Sequence, residues 1–346
     1  MALGFSGSNG GINPKSSSSI EQDFASKPLE ISYFVNNTCN LTCGHCYVGY
    51  EESKNALSVE EWQNVFCDAL SLGALTFGNV GKEPLLSWNK SIQLLNFLKQ
   101  KRQENPKIRY GLVTNATLLT PEKISQLIEA HPTYLDISID GTEKVHDSIR
   151  GYGNYHKSVS AIENIIRQAP EFSDKLFISF TLMGRNNRHS LIEEMIKELQ
   201  NKGVKKFMIS PYAPSINQSG EDIGITKEQI ADTYAVLKAK ANSWLKSEDQ
   251  LLLKVDYDTQ KPLMNLLAER RIIELNKLLT DDYATIFNQF GRVFINYIPV
   301  PRTLIRDIRI SHDGFVSSCH DMFFKDYPNR ARGNLRERRL SEIISS

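Results

Sequence analysis

The sequence predicts an α/β fold built on a parallel sheet. From Ile31 to Ser210, short β-rich runs alternate with amphipathic helical stretches, six times in about 180 residues. The helical stretches carry readable start and stop signals. The polar motifs fall just after the strand runs, where ligands gather in parallel α/β folds. A doubly wound sheet and a partial barrel both fit this pattern.

The strand runs are Ile31 to Val35, Ala74 to Gly78, Arg109 to Thr114, Tyr134 to Ile139, Leu176 to Leu182 and Lys206 to Ser210. Ser58-x-x-Glu61 is a capping box ahead of Trp62, Val65, Phe66, Ala69 and Leu70, and Gly73 closes that helix. Thr120-Pro121 supplies an N-cap with Pro at the first helical position, ahead of Ile124, Leu127 and Ile128. Asn187 is the expected N-cap of a helix that Gly203 ends. Beyond Pro214 the alternation changes. Thr226 to Leu245 and Pro262 to Leu279 read as helices, with Leu251 to Tyr257 a strand between them. Thr303 to Ile310 and Phe315 to Cys319 read as a hairpin turned by Asp313-Gly314. Residues 1–29, rich in Gly and Ser at their start, read as a disordered tail, 30–214 as the core domain and 215–346 as a separate C-terminal region.

Forty percent of the 346 residues are hydrophobic and 23% charged, which suits a globular chain. The net charge of +1 gives no electrostatic footprint for nucleic acid or an anionic membrane. No run approaches the roughly 20 apolar residues of a spanning helix, and the N-terminus lacks the apolar segment of a secretory signal. Five cysteines, three of them clustered, argue against a disulfide framework and for a reducing compartment, so the expected location is cytoplasmic.

The cluster is Cys39-x-x-x-Cys43-x-x-Cys46, directly after the first strand. Three close thiolates point to metal. A structural zinc site needs four closed ligands. His45 as the fourth would place two adjacent residues around one tetrahedral ion, and Cys67 and Cys319 lie far off in sequence. A [4Fe–4S] cube normally takes four thiolates. Three would leave one iron open to a ligand that is not protein.

With His45 before the last cysteine and Tyr47 after it, this motif resembles the radical S-adenosylmethionine superfamily over about residues 30 to 215. The resemblance implies a partial (β/α)6 TIM-like barrel with a smaller C-terminal α+β extension. It implies one [4Fe–4S] cluster on Cys39, Cys43 and Cys46, whose open iron chelates S-adenosylmethionine. One electron then splits a carbon–sulfur bond, and the resulting 5′-deoxyadenosyl radical removes a substrate hydrogen atom. It also implies an electron donor such as a flavodoxin or ferredoxin.

Gly81-Lys82-Glu83-Pro84 is similar to the family's Gly-Gly-Glu-Pro, which meets the cofactor's amino group. Lys82 departs from the second Gly, so the resemblance there covers its main chain, with the side chain turned away if φ is negative. Asn115, after the third strand, and Ser138 and Asp140, ending the fourth, match polar groups near the ribose and methionine. Arg150 resembles an Arg that approaches the cofactor carboxylate. His45 is expected beside the adenine, with Ile209 to Pro211 as its rim. His146 and Asp147 are expected to be structural.

Ile308 to His320 and the Gly333-Asn-Leu-Arg stretch resemble the SPASM and twitch extensions. One remaining cysteine, Cys319, cannot hold an auxiliary cluster. Cys67 is expected to pack within its helix. Tyr297, Asp307, Arg309, His312 and His320 stay unplaced, and no residue is assigned as catalytic. Relatives with such tails imply a ribosomally made peptide precursor as substrate. The N-terminal segment is too short and polar for a leader-recognition domain, so a separate recognition protein is the expected partner. A sugar or nucleoside small molecule is the alternative substrate, and a non-enzymatic metal-binding scaffold is the alternative from another class.

Overall fold

The computed structural model describes residues 29–46, 55–212, 223–255, 257–273, 286–297, 307–318 and 331–345. Its centre is the predicted alternation: β1 (Leu29–Tyr33), α1 (Val59–Ser71), β2 (Ala74–Asn79), α2 (Trp88–Glu104), β3 (Arg109–Thr114), α3 (Pro121–Ala130), β4 (Tyr134–Ser138), α4 (Glu143–Arg150), α5 (Asn154–Gln168), β5 (Leu176–Leu182), α6 (His189–Asn201) and β6 (Lys206–Pro211). The chain continues through α7 (Lys227–Lys240), β7 (Gln250–Val255), α8 (Tyr257–Glu269), β8 (Ile286–Phe290), β9 (Val293–Tyr297), β10 (Asp307–Ile310), β11 (Phe315–Ser318), β12 (Gly333–Asn334) and α9 (Leu340–Ser345).

All twelve described strands join one sheet in the order β12-β11-β10-β1-β2-β3-β4-β5-β6-β7-β9-β8. β1 to β6 run parallel in sequence order, each reached by a helical crossover. This is a partial TIM-type barrel. β7 and β9 extend it in parallel beyond β6, and β10 lies parallel to β1 on the other side. Antiparallel pairings, β8 with β9 on one side and β10 with β11 and β11 with β12 on the other, finish the two edges.

Period-2 alternation sends one set of side chains beneath the helices. Leu29, Ile31 and Tyr33 of β1 face that layer. Tyr33 there meets Trp62 and Phe66 of α1, with ring centroids 5.3 and 4.9 Å apart. Leu112, Ile137, Ile178, Ile209 and Leu253 continue the same layer and are fully buried. The other set lines the barrel interior.

The capping box at Ser58 and Glu61 forms as the sequence predicts, and Thr120 caps α3. Three local expectations are corrected. The N-cap of α6 is Arg188, not Asn187, and the acceptor side chain near that turn is Asn186, which receives the Met183 N–H at 2.7 Å. The helix expected to start at Pro262 begins five residues earlier, and Pro262 lies inside it. Cys67 does not pack in the core; on α1 it points to solvent. The hairpin forms between β10 and β11, with Gly314 at φ +94°. Residues 303–306, Cys319 and His320 lie outside the described residues, as does Tyr47.

Candidate active site

Thirteen residues after β1 carry all three clustered cysteines, and the loop is held from below by Asn36. This buried side chain donates to the Glu83 carbonyl and to the Ser87 hydroxyl, both at 3.0 Å. Glu83 returns a bond from its N–H to the Thr38 carbonyl at 3.1 Å. The loop and the Gly81 turn are therefore one unit. Sequence reasoning passed over Asn36; its signal was a polar pair, Asn36-Asn37, directly after an apolar strand.

Within the loop the Cys46 N–H donates to the Cys43 carbonyl at 3.0 Å. Cys39 Sγ accepts from the Leu41 N–H at 3.4 Å and from Asn115 Nδ2 at 3.9 Å. Burial pushes the Cys39 thiol up, and it pushes Cys43 to about 11 although Arg150 pulls it back. None of Cys39, Cys43 and Cys46 is in a disulfide. Among the described residues, no three His, Cys, Asp or Glu side chains converge on one point as a single ion would need. A cube asks for something else: each thiolate takes a different iron, so the sulfurs stand apart. A donor set of three thiols on one loop fits a cube with one open iron better than it fits a structural zinc, which needs four closed ligands.

Gly81 lies against the Phe34 ring; a Cβ there would stand 2.1 Å from a ring carbon, so no other residue fits. Lys82 corrects the sequence expectation. Its φ is +39°, in the left-handed region that favours glycine. The second Gly of the related motif thus has a conformational reason, and this chain places a lysine in it at a cost. Burial lowers the Lys82 ammonium, while Cys46, Cys39 and Cys43 oppose that shift. Its charge is therefore felt at the thiols.

Glu83 is fully buried. Its Oε1 accepts from the Leu85 N–H at 3.0 Å and the Thr114 hydroxyl at 2.7 Å, and its Oε2 accepts from the Asn115 N–H at 2.9 Å. Burial raises this carboxyl and the three bonds hold it back. Glu83 thus locks the Gly81 turn onto the end of β3. Asn115 completes the bridge: Nδ2 donates to Asn40 Oδ1 at 3.1 Å, and Oδ1 accepts from the Thr117 N–H at 2.9 Å.

The far wall is an ion-paired group. Asp140 is fully buried, and its Oδ2 accepts from Arg150 Nε at 2.5 Å. Its Oδ1 accepts from the Thr181 N–H at 2.9 Å. His45 Nε2 lies 3.6 Å from Asp140 Oδ2 and 3.3 Å from Arg150 Nη2. Burial alone would raise Asp140, but Arg150 and then His45 hold it below the usual carboxylate range. Burial works against Arg150 too, yet Asp140 and Cys43 leave it more firmly charged than in water. His45 is pushed down to about 4 by burial, so its ring is neutral at pH 7. Its Nδ1 is buried with no hydrogen-bond partner.

Here the structure joins loop, β4 and α4. Asn186, which sequence reasoning missed, accepts at its own turn and donates from Nδ2 to the Asp140 carbonyl at 3.0 Å. His146 and Asp147 are structural. His146 Nδ1 accepts the Asp140 N–H at 3.2 Å, and Asp147 accepts the Gly153 and Tyr155 N–H groups at 2.6 and 2.8 Å to start α5. Ser138 ends β4 in register with Ser179 of β5, inside the barrel. His312 is buried in the β10–β11 turn, where its carbonyl accepts from the Leu57 N–H at 2.7 Å.

Residues 33–199 match the model of the Radical SAM superfamily. Over 325 residues the chain is 26% identical to Fe-coproporphyrin III synthase of Methanosarcina barkeri, an alignment covering 92% of this chain and 73% of that protein. Over 167 residues it is 27% identical to PqqA peptide cyclase of Bradyrhizobium diazoefficiens, covering 47% of this chain and 41% of that one, less than half of the cyclase's length. Among solved structures, Streptococcus suis SuiB bound to its precursor peptide SuiA superposes with a TM-score of 0.71 at 15% identity, covering 95% of this chain and 67% of that one. SuiB has also been solved with S-adenosylmethionine. No helix among the described residues is long and apolar enough to cross a membrane.

Proposed function

We propose that this chain, a radical SAM enzyme by the domain at residues 33–199, cleaves S-adenosylmethionine reductively and uses the released radical to remove a hydrogen atom from a peptide substrate. The observation that carries the reaction class is the loop of three thiols fastened to a buried polar wall. Cys39, Cys43 and Cys46 would hold a [4Fe–4S] cluster, which would supply the electron and leave one iron open to the cofactor.

The chain's own residues bind, orient and keep water out. Main-chain carbonyls of the Gly81–Lys82 turn would meet the cofactor's ammonium, because the Glu83 carboxylate is engaged by three donors of its own. Arg150, held in plane by Asp140, offers its remaining guanidinium donors to a carboxylate. The neutral His45 ring would sit beside the adenine, with Ile209 to Pro211 as the rim. Asn115 and Ser138 serve the ribose hydroxyls.

The peptide reading is supported by the likeness to SuiB along nearly the whole chain. In this reading the β10–β11 hairpin belongs to a SPASM-like region without its own cluster, and a separate protein presents the precursor. A flavodoxin or ferredoxin in the cytoplasm delivers the electron. A second reading, modification of a tetrapyrrole, is favoured by the alignment to Fe-coproporphyrin III synthase across 92% of the chain.

The experiment is anaerobic reconstitution followed by dithionite. Formation of 5′-deoxyadenosine with about four irons per chain is expected; retained zinc without cleavage would sink the reaction class. Mass change of a candidate precursor peptide, set against an iron-porphyrin substrate, separates the two substrate readings.

A further inference from the structure

Beside the cysteine loop, the side chains of Asn40, Asn115 and Thr117 close a ring of hydrogen bonds. Asn115 Nδ2 donates to Asn40 Oδ1 at 3.1 Å, Asn40 Nδ2 donates to the Thr117 hydroxyl at 2.9 Å, and that hydroxyl donates to Asn115 Oδ1 at 2.6 Å. Asn40 follows the first cysteine of the loop, while Asn115 and Thr117 stand just beyond β3. Only the folded chain brings them together.

The ring settles which way the Asn115 amide faces. Its Oδ1 accepts from the Thr117 main-chain N–H at 2.9 Å as well as from the Thr117 hydroxyl. A main-chain N–H cannot become an acceptor, so a flipped amide would set two donors against each other. The Nδ2 end therefore faces the loop, with one hydrogen on Asn40 Oδ1 and the other toward Cys39 Sγ, 3.9 Å away.

The rest of Asn115 is pinned as well. Its N–H donates to Glu83 Oε2 at 2.9 Å, its carbonyl accepts from the Ser158 hydroxyl at 2.6 Å, and the residue is buried. Between Asn115 and Thr117, Ala116 takes φ +61°, a left-handed conformation that alanine adopts only at a cost.

Cys39 Sγ thus meets two donors of different origin. The Leu41 N–H, at 3.4 Å, comes from the loop's own turn, and any residue but proline would supply it there. The Asn115 amide comes from the end of another strand and needs this side chain. A donor on a ligating sulfur favours the more negative state of a cluster and so eases its reduction.

We propose that Asn115 is a positioning residue for the cluster: its amide, held in the ring with Asn40 and Thr117, donates to Cys39 Sγ and raises the reduction potential of the cluster that the loop would hold. The inference rests on the radical reading above, in which Asn115 also serves the ribose, and it names what the same side chain does before the cofactor binds.

The test uses the full reconstituted chain without S-adenosylmethionine, so that a role at the ribose is silent. Electron paramagnetic resonance follows the reduced cluster through a potentiometric titration. At the wild-type midpoint, Asn115→Ala should shift the ratio of reduced to oxidised cluster about three- to tenfold toward the oxidised form, tenfold being about 59 mV for one electron. Asn115→Asp keeps an oxygen for Thr117 and loses the donor, so it should shift the ratio at least as far. An unchanged or raised midpoint in either variant would overturn the inference. A second measurement needs no variant. Wild-type chain labelled with heavy nitrogen in its asparagine side chains should show a weakly coupled nitrogen in the spin-echo modulation of the reduced cluster. Absence of that coupling, or its survival in Asn115→Ala, would overturn the inference. A wild-type chain that forms no cluster would overturn both the inference and the radical reading. A loaded chain that shows the shift and the coupling but releases no 5′-deoxyadenosine would overturn the radical reading alone.

Discussion

The two faces of the same strands obey different rules. On the helix-facing side, Leu112, Ile137, Ile178 and Leu253 are fully buried among aliphatic and aromatic neighbours. On the barrel-lining side, adjacent positions hold Asp136, Glu30 and Lys254, and burial leaves both carboxylates raised. Single residues of β4 separate the two environments: Ile137 is packed, while Asp136 keeps a buried oxygen without a partner. The outer face holds the fold together. The inner face spends some of that stability on buried polar groups.

The largest effect should come from the loop at the barrel mouth. Changing any one of Cys39, Cys43 or Cys46 to Ala should abolish both iron retention and 5′-deoxyadenosine formation, read by iron analysis and chromatography. Full turnover in one such variant would remove that cysteine from the ligand set.

Next is the buried pair on the inner wall. Asp140→Ala should cost about 3–5 kcal/mol, because it leaves the Arg150 guanidinium buried without its carboxylate. Urea unfolding measures it. A loss below about 1 kcal/mol, the range of an exposed ion pair, would mean that water reaches this wall.

On the packed face, Leu112→Ala should cost about 2–5 kcal/mol through lost burial and the cavity left behind. Unlike Asp140→Ala, it should leave the affinity for S-adenosylmethionine near wild type once folded. A matching fall in that affinity would show that the two faces are not separable.

Glu30 tests the inner face by pH. Its folded value of about 7 stands above the ordinary 4.5, so the folded state holds the proton more tightly. The stability this contributes is fully present below about pH 4.5 and is lost as pH rises through 7. Glu30→Gln cannot ionise, so its melting temperature should fall less between pH 5 and pH 8 than the wild type's. Parallel curves would show that the half-buried Glu30 is better solvated than the fold has it.

The smallest effect sits at the turn between the faces. Lys82→Gly should stabilise the chain by about 0.5–1 kcal/mol, since glycine adopts φ +39° without strain while giving back part of the gain as unfolded-chain entropy. A destabilised variant would mean that contacts of the Lys82 side chain outweigh its backbone strain.

Much of the fold was legible because its signals are local. Strand runs such as Arg109–Thr114 and Leu176–Leu182 emerge with the bounds read from β-rich composition, and the Ser58–Glu61 capping box forms as its spacing requires. The α6 cap was misread because Asn186 and Asn187 are adjacent and equally able to accept; only the turn after β5 shows that Asn186 faces inward to Asp140. Cys67 was misread because one cysteine in an amphipathic helix gives no phase of its own. The sign of φ at Lys82 was illegible because a lysine gives no cue that its backbone is left-handed.

By itself, the sequence determined the order of the elements and the set of thiols on one short loop. Both follow from spacing along the chain, which folding does not alter. Tertiary structure alone decided that Asp140, Arg150 and His45 stand within 3.6 Å of one another, and that Glu30, Asp136 and Asp307 share one interior. Those groups come from separate strands and loops. Their meeting depends on strand register and on the closure of the sheet, which no local pattern encodes.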